Sequence, residues 1–141
     1  MTMSDERLEA FLREPNVGVL STVDAGGRPH QAPIWFLWED GAAYMFTGRG
    51  SLKWRNILGN AEASLCIDTK QPPYRSAIIE GTCAEDGRPL DELIRRLAIA
   101  YYGEQKGREF ADEGDYSDRE RSVAIKLTPR RVLSWDYETE G

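Results

Sequence analysis

One histidine and two cysteines in 141 residues leave little for transition-metal chemistry. A histidine-based metal cage needs several imidazoles, and Cys66 and Cys83 stand singly, without metal-ligand spacing. They read as small apolar residues in strand-like segments, so a reduced, cytoplasmic setting is expected. No run approaches the ~18 apolar residues of a membrane span, and the polar N-terminus does not read as a signal peptide. An excess of cations is also absent. Lys and Arg total 18 against 24 for Asp and Glu, a net charge of −6. Sequence-independent nucleic-acid binding needs a broad basic face, so that class is disfavoured. Neither the Walker spacing nor a G-x-G-x-x-G opening a long βαβ unit occurs. Paired carboxylates placed for acid–base work and a protein nucleophile are missing too, so no side chain is assigned a catalytic role.

The length suits a single domain with one real core, spanning residues 1–141. Hydrophobic residues make up 40% of the chain, an ordinary globular share. Ser4 caps a first helix, with Leu8, Phe11 and Leu12 on its inner face and Pro15-Asn16 ending it. Strands are expected at 17–23 and 28–38, joined by the Asp24-Ala-Gly-Gly27 turn, then at 42–46, 63–67 and 76–84. Pro89 opens a longer helix whose Leu90, Leu93, Ile94, Leu97, Ala98 and Tyr101 recur at offsets of three and four until Gly103. Residues 104–118 are acidic and poorly periodic. With only Phe110 and Tyr116 as apolar anchors, they are expected to form a mobile loop with a little helix. Final strands are expected at 122–127 and 132–137, separated by Thr128-Pro129. About seven short strands and two or three helices, joined largely by tight turns, predict an α+β fold. Its form is a small antiparallel β-barrel with helices covering its ends, with a β-sandwich as the alternative.

Two places point to a ligand. The first is Phe46-Thr-Gly-Arg-Gly-Ser-Leu-Lys-Trp-Arg-Asn56, a strand end, a glycine turn and a helix start. Ser51 fits an N-cap, and Leu52, Trp54, Ile57 and Leu58 fit a buried helix face. Helix N-termini favour anions, and Arg49, Lys53 and Arg55 cluster here in an otherwise acidic chain. The corner reads either as a pocket for a phosphate-bearing ligand or as a surface helix with its cations in water. The second place is Pro29-His-Gln-Ala-Pro-Ile-Trp-Phe36. Proline removes a ladder donor, so Pro33 marks an edge or a bulge. Such a break protects an edge or admits a flat aromatic ligand beside Trp35 or Trp38. His30 reads as a surface residue or a ligand contact.

Four ordered segments, VGVLSTVDAGGRPHQAPIWF, FTGRGSLKWRNILGNAEASLCID, PYRSAIIEG and TPRRVLSWD, carry a family resemblance. The chain resembles the pyridoxamine 5′-phosphate oxidase-like split-barrel flavoproteins, and among them the small flavin/deazaflavin oxidoreductases. Residues 85–120 do not contribute to it. The resemblance implies a homodimer whose cofactor lies in a groove shared by two subunits. It also implies a cofactor-binding set: Gln31, Ala32, Pro33, Ile34 and Trp35 on one strand, and Phe46, Thr47, Arg49, Ser51, Lys53, Arg55 and Asn56 at the corner. In the oxidase itself three cations also contact the flavin; here those positions are Gln31, Phe36 and Leu52. That departure argues against vitamin B6 oxidation. It leaves FMN in another pose, or coenzyme F420, whose acidic tail suits scattered cations such as Arg49, Arg55 and Arg75. The implied activity is hydride transfer between F420 or FMN and a small-molecule substrate that stacks near Trp35 or Tyr74. The alternatives are a non-catalytic flavin or haem carrier and a barrel without ligand.

Overall fold

The computed structural model describes residues 2–114 and 118–137. Its elements run α1 (Asp5–Leu12), β1 (Gly18–Val23), β2 (Pro29–Ile34), β3 (Leu37–Glu39), β4 (Ala42–Gly48), α2 (Leu52–Gly59), β5 (Glu62–Asp68), β6 (Arg75–Glu85), α3 (Leu90–Tyr102), α4 (Glu104–Glu113) and β7 (Ser122–Asp136). All seven strands form one antiparallel sheet in the order β2-β1-β5-β6-β7-β4-β3. The two edge strands are sequence neighbours, joined only by Trp35 and Phe36. That short link forces the sheet to curl until its edges face each other, which makes an open half-barrel. The expected α+β split barrel is therefore observed.

Alternation builds two apolar layers. On β4, Ala43 and Met45 point into the barrel, while Ala42 and Tyr44 point outward beneath α3. Neighbouring β7 does the same with Val123, Ile125 and Leu127 inside and Ala124 outside. The interior is filled by Leu20, Met45, Leu65, Ile67, Ile79 and Ile125 and is capped by Phe11 and Leu12 of α1 and by Trp54 and Ile57 of α2. The outer layer is Leu90, Leu93, Ile94 and Leu97 of α3 against β4 and β7. Both N-caps expected from sequence form: Ser4 Oγ accepts from the Arg7 N–H, and Ser51 Oγ accepts from the Trp54 N–H at 3.3 Å.

Four details differ from the sequence reading. The return strand expected over 28–38 is split into β2 and β3. Pro33 supplies no donor, and the Tyr101 hydroxyl takes up the Phe36 N–H at 3.2 Å, so the chain leaves the ladder there. The strands expected at 122–127 and 132–137 are one strand. Pro129 lies opposite Gly81, and the register slips by one residue between Glu80 and Gly81, so a bulge absorbs the proline. Residues 104–113 are helical, giving four helices among the described residues. Asp115, Tyr116 and Ser117, part of the expected mobile segment, lie outside the described residues. Finally, Leu52 and Leu58 are 42% and 68% exposed, and the buried face of α2 is Trp54, Asn56 and Ile57. Asn56 was concealed by its polarity: its Nδ2 donates to Thr22 Oγ1 at 3.1 Å inside the barrel wall. Among the described residues, no helix is long and apolar enough to cross a membrane.

Candidate functional site

The site follows from the split. β1 covers one side of β2 and leaves the other unpaired. β3 pairs only with Ala42, Ala43 and Tyr44 of β4, so the remainder of that β4 edge, toward Gly48, also lacks a strand neighbour. These two open edges border a cleft of about 450 Å³. From β2 and the link after it come Pro33, Ile34 and Trp35; from β4 come Phe46, Thr47 and Gly48. Lys53 lines it from the first turn of α2, and Tyr102 and Phe110 line it from α3 and α4. Val17, just before β1, completes the lining. The volume lies within the usual range for small-molecule sites.

The cationic part is built by local rules. After β4, the chain turns at Gly48 and Gly50 and enters α2 under the Ser51 cap. Thr47 Oγ1 lies 3.2 Å from Ser51 Oγ, tying the last buried residue of β4 to the cap. Lys53 is half-buried, and among the described residues it has no carboxylate partner. An ammonium held at a helix N-terminus adds its charge to that of the first-turn N–H groups, an arrangement suited to an anion.

A second part of the lining is aromatic. Trp35 stacks on Tyr101 at 5.1 Å with the rings only 8° apart, and Tyr102 meets it edge-on at 5.2 Å. Phe110 lies 5.5 Å from Trp35 and 5.6 Å from Tyr102. The Tyr101 hydroxyl donates to the Asn16 carbonyl at 2.9 Å and receives the Phe36 N–H, which fixes the β2–β3 link and with it the indole. Burial pushes the Tyr101 phenol above its usual range, against a smaller opposing effect of its bond to the Phe36 backbone. Tyr102 and Phe110 belong to the stretch with no family signal. Tyr102 is the residue after Tyr101 at the end of an amphipathic helix, and Phe110 is the one large apolar residue of α4.

The sequence candidates are distributed as follows. Pro33, Ile34, Trp35, Phe46, Thr47 and Lys53 come together at the cleft, with Ser51 directly behind Thr47. Arg49 turns away. Its guanidinium grips Glu85 in a two-pronged pair at 3.1 and 2.6 Å, and its Nε donates to the Arg119 carbonyl. That hydrogen bond holds the Glu85 carboxyl below its usual range. Arg55 and Asn56 border a separate cavity of about 500 Å³ with Asp24 and Leu52. That cavity has no aromatic wall. Gln31 Nε2 donates to Ser21 Oγ across the β1–β2 ladder, and Ala32 lies opposite Leu20. Trp38 is buried and donates its indole N–H to Glu9 at 2.8 Å, away from the cleft. Arg75 pairs with Glu14 at 2.7 Å. The thiols are not poised as nucleophiles, because burial raises Cys66 and pushes Cys83 up to about 12.

The lining of the cleft is thus apolar and aromatic with one ammonium, and among the described residues it contributes no carboxylate, histidine or thiol. The family model for pyridoxamine 5′-phosphate oxidase matches residues 4–136. The chain belongs to that family. It is 28% identical over 136 residues to a 5a,11a-dehydrotetracycline/5a,11a-dehydrooxytetracycline reductase of Streptomyces rimosus, covering 91% of this chain and 80% of the relative. Among solved structures, a conserved hypothetical protein of Mycobacterium tuberculosis superposes with a TM-score of 0.76 at 21% identity, covering 97% of this chain and 87% of the other. An F420 reductase superposes with a TM-score of 0.63 at 24% identity, covering 88% and 94%.

Proposed function

We propose that the protein is an oxidoreductase that binds F420 or FMN in the cleft and acts on a small organic substrate. The observation that carries this reading is Lys53. It is a half-buried ammonium with no carboxylate partner among the described residues, beside a capped helix N-terminus, in a cleft that also has an aromatic lining. A phosphate-bearing cofactor with a flat ring fits both features. Lys53, Ser51 and Thr47 would hold the phosphate region, and the edges of β2 and β4 would lie along the ring. Once bound, such a cofactor supplies hydride transfer. The protein's own part is to bind, to orient and to keep water from the ring. Exposed Pro33 carries no N–H and presents an apolar ring at the β2 edge, a surface a flat ring can lie against. The reductase names of the relatives support the class of reaction.

Of the two cofactors, F420 is favoured. FMN concentrates its charge in one phosphate, yet Gln31, Phe36 and Leu52 add no cation near Lys53. An acidic tail along the surface suits exposed cations such as Arg55, each contact being individually weak. The cleft is open on one side, and a second subunit would close it over a large flat ligand.

The test is titration of FMN and of F420 into the wild type and Lys53→Ala, at low and high salt. A charge-assisted bond of about 1.5–3 kcal/mol predicts a loss of roughly tenfold to a hundredfold in affinity. Leu52→Ala, altering an exposed neighbour, should bind as the wild type does. Tail contacts should fade as salt rises, because exposed pairs are screened. Equal dissociation constants for wild type and Lys53→Ala would overturn the site. Tighter FMN binding at both salt concentrations would reverse the choice of cofactor.

A further inference from the structure

Lys53 and the α2 N-terminus point where the turn between β4 and α2 puts them. That turn is permissive in itself: Gly48 and Gly50 flank Arg49, and inside it the Ser51 N–H donates to the Gly48 carbonyl at 3.1 Å. Arg49 restrains the turn from outside. Its N–H donates to the Arg121 carbonyl at 2.9 Å. Its Nη1 and Nη2 meet the two carboxylate oxygens of Glu85, the last residue of β6, at 3.1 and 2.6 Å. Its Nε donates to the Arg119 carbonyl. Arg119 extends the connection, since its guanidinium donates to the carbonyls of Asp86, Gly87 and Arg88. Three stretches far apart in sequence, 48–51, 85–88 and 119–121, are thereby joined through two arginines. A lone exposed ion pair would matter little. A guanidinium that meets a carboxylate with two bonds and a carbonyl with a third fixes direction as well as distance.

We infer that Arg49 is a positioning residue for the β4–α2 corner: gripping Glu85 and the Arg119 carbonyl, it holds the turn, and with it Lys53, in place without touching the ligand itself. This rests on the function proposed above. All three nitrogens of the Arg49 guanidinium are bonded within the protein, whereas Lys53 has no carboxylate partner among the described residues. The two cations thus have separate tasks, one facing the anion and one fixing the loop that carries it. Lysine at position 49 would keep the charge and lose the fork. Removing the Glu85 carboxylate would keep the guanidinium and lose its anchor.

The test compares each phosphate-bearing cofactor with its phosphate-free core: FMN with riboflavin, and F420 with 8-hydroxy-5-deazariboflavin. The ratio of the two dissociation constants separates the corner from the ring. It is measured for the wild type, Arg49→Lys, Glu85→Ala and the double variant, together with thermal midpoints. Each single variant should lower the preference for the phosphate-bearing form by about three- to tenfold, and the double variant no further, because all three break one clamp. Affinity for the bare core should stay within about twofold, and the midpoint should move little, since exposed pairs add little to global stability. A direct contact between Arg49 and the phosphate gives the reverse pattern. Arg49→Lys would then keep most of the preference, and Glu85→Ala would free the guanidinium and raise it. Either result overturns the clamp, as does a loss shared equally by core and cofactor, which is what general loosening of the fold would produce. If neither cofactor binds the wild type, the oxidoreductase reading fails and amide exchange over residues 48–55 decides. Faster exchange there in both single variants, with β1 unchanged, upholds the clamp; unchanged exchange overturns it.

Discussion

Replacing Gly81 by alanine should be among the most damaging single changes in this barrel. Gly81 sits at the bulge where β6 passes β7. A Cβ there would lie 2.0 Å from the Thr128 carbonyl oxygen, 2.9 Å from its carbon and 3.0 Å from the Pro129 Cα. Favourable carbon contacts lie at ~3.5–4.0 Å, and all three neighbours are backbone, so no side chain can rotate away. The strands must separate in the middle of the longest pairing in the sheet, which runs from Arg75 to Glu85. Overpacking costs ~1–3 kcal/mol, and each weakened ladder bond adds ~0.5–1.5 kcal/mol. We expect a loss of about 2–4 kcal/mol, equivalent for a chain of this size to a fall in Tm of roughly 6–15 °C. Gly59→Ala is the matched control. A Cβ there meets nothing within 4 Å, and the residue is helical, so alanine should add up to about 1 kcal/mol. Urea unfolding of all three proteins, with m-values compared, measures both signs. Gly81→Ala within about 1 kcal/mol of wild type at unchanged m would refute the bulge as a steric requirement.

Tyr101→Phe removes the hydroxyl that satisfies Phe36 and Asn16, so stability should fall by about 1–2 kcal/mol in the same assay, and Trp35 fluorescence should shift as its backing loosens. Glu39 is held below its usual range first by its hydrogen bond to Arg96. Its contribution is therefore present above the ordinary carboxylate pKa and is lost as pH falls through the folded value; Glu39→Gln should flatten acid unfolding in that window, and an unchanged profile would contradict it. Sedimentation at micromolar concentration should give a mass near twice 16.0 kDa, and a monomer that still binds cofactor tightly would contradict a site completed by a second subunit.

Local rules made much of this protein legible. Turn glycines, the Ser4 and Ser51 caps, the three-and-four spacing of α3 and the alternation of the strands are short-range signals, and each appears where those signals place it. Prolines inside a strand pattern marked β2 as an edge, because the missing donor is a property of the residue itself. Eight of the cleft's lining residues lay within motifs that the sequence presents, and six of those were site candidates. What the sequence left undecided depends on residues far apart in the chain. Arg49, Lys53 and Arg55 are equivalent cations on paper; only the fold sets Glu85 beside Arg49, points Arg55 to another cavity and leaves Lys53 at the cleft. Gly81 opposite Pro129 turns an apparent strand break into a bulge, which requires knowing that β6 and β7 are partners. The α4 helix has too few apolar residues to declare itself, and it forms because Gly107 lets its backbone rest on α3. That contact carries Phe110 to Trp35, 75 positions away in the sequence. Composition and periodicity report which face of an element is buried, whereas which faces meet is a property of the closed sheet alone.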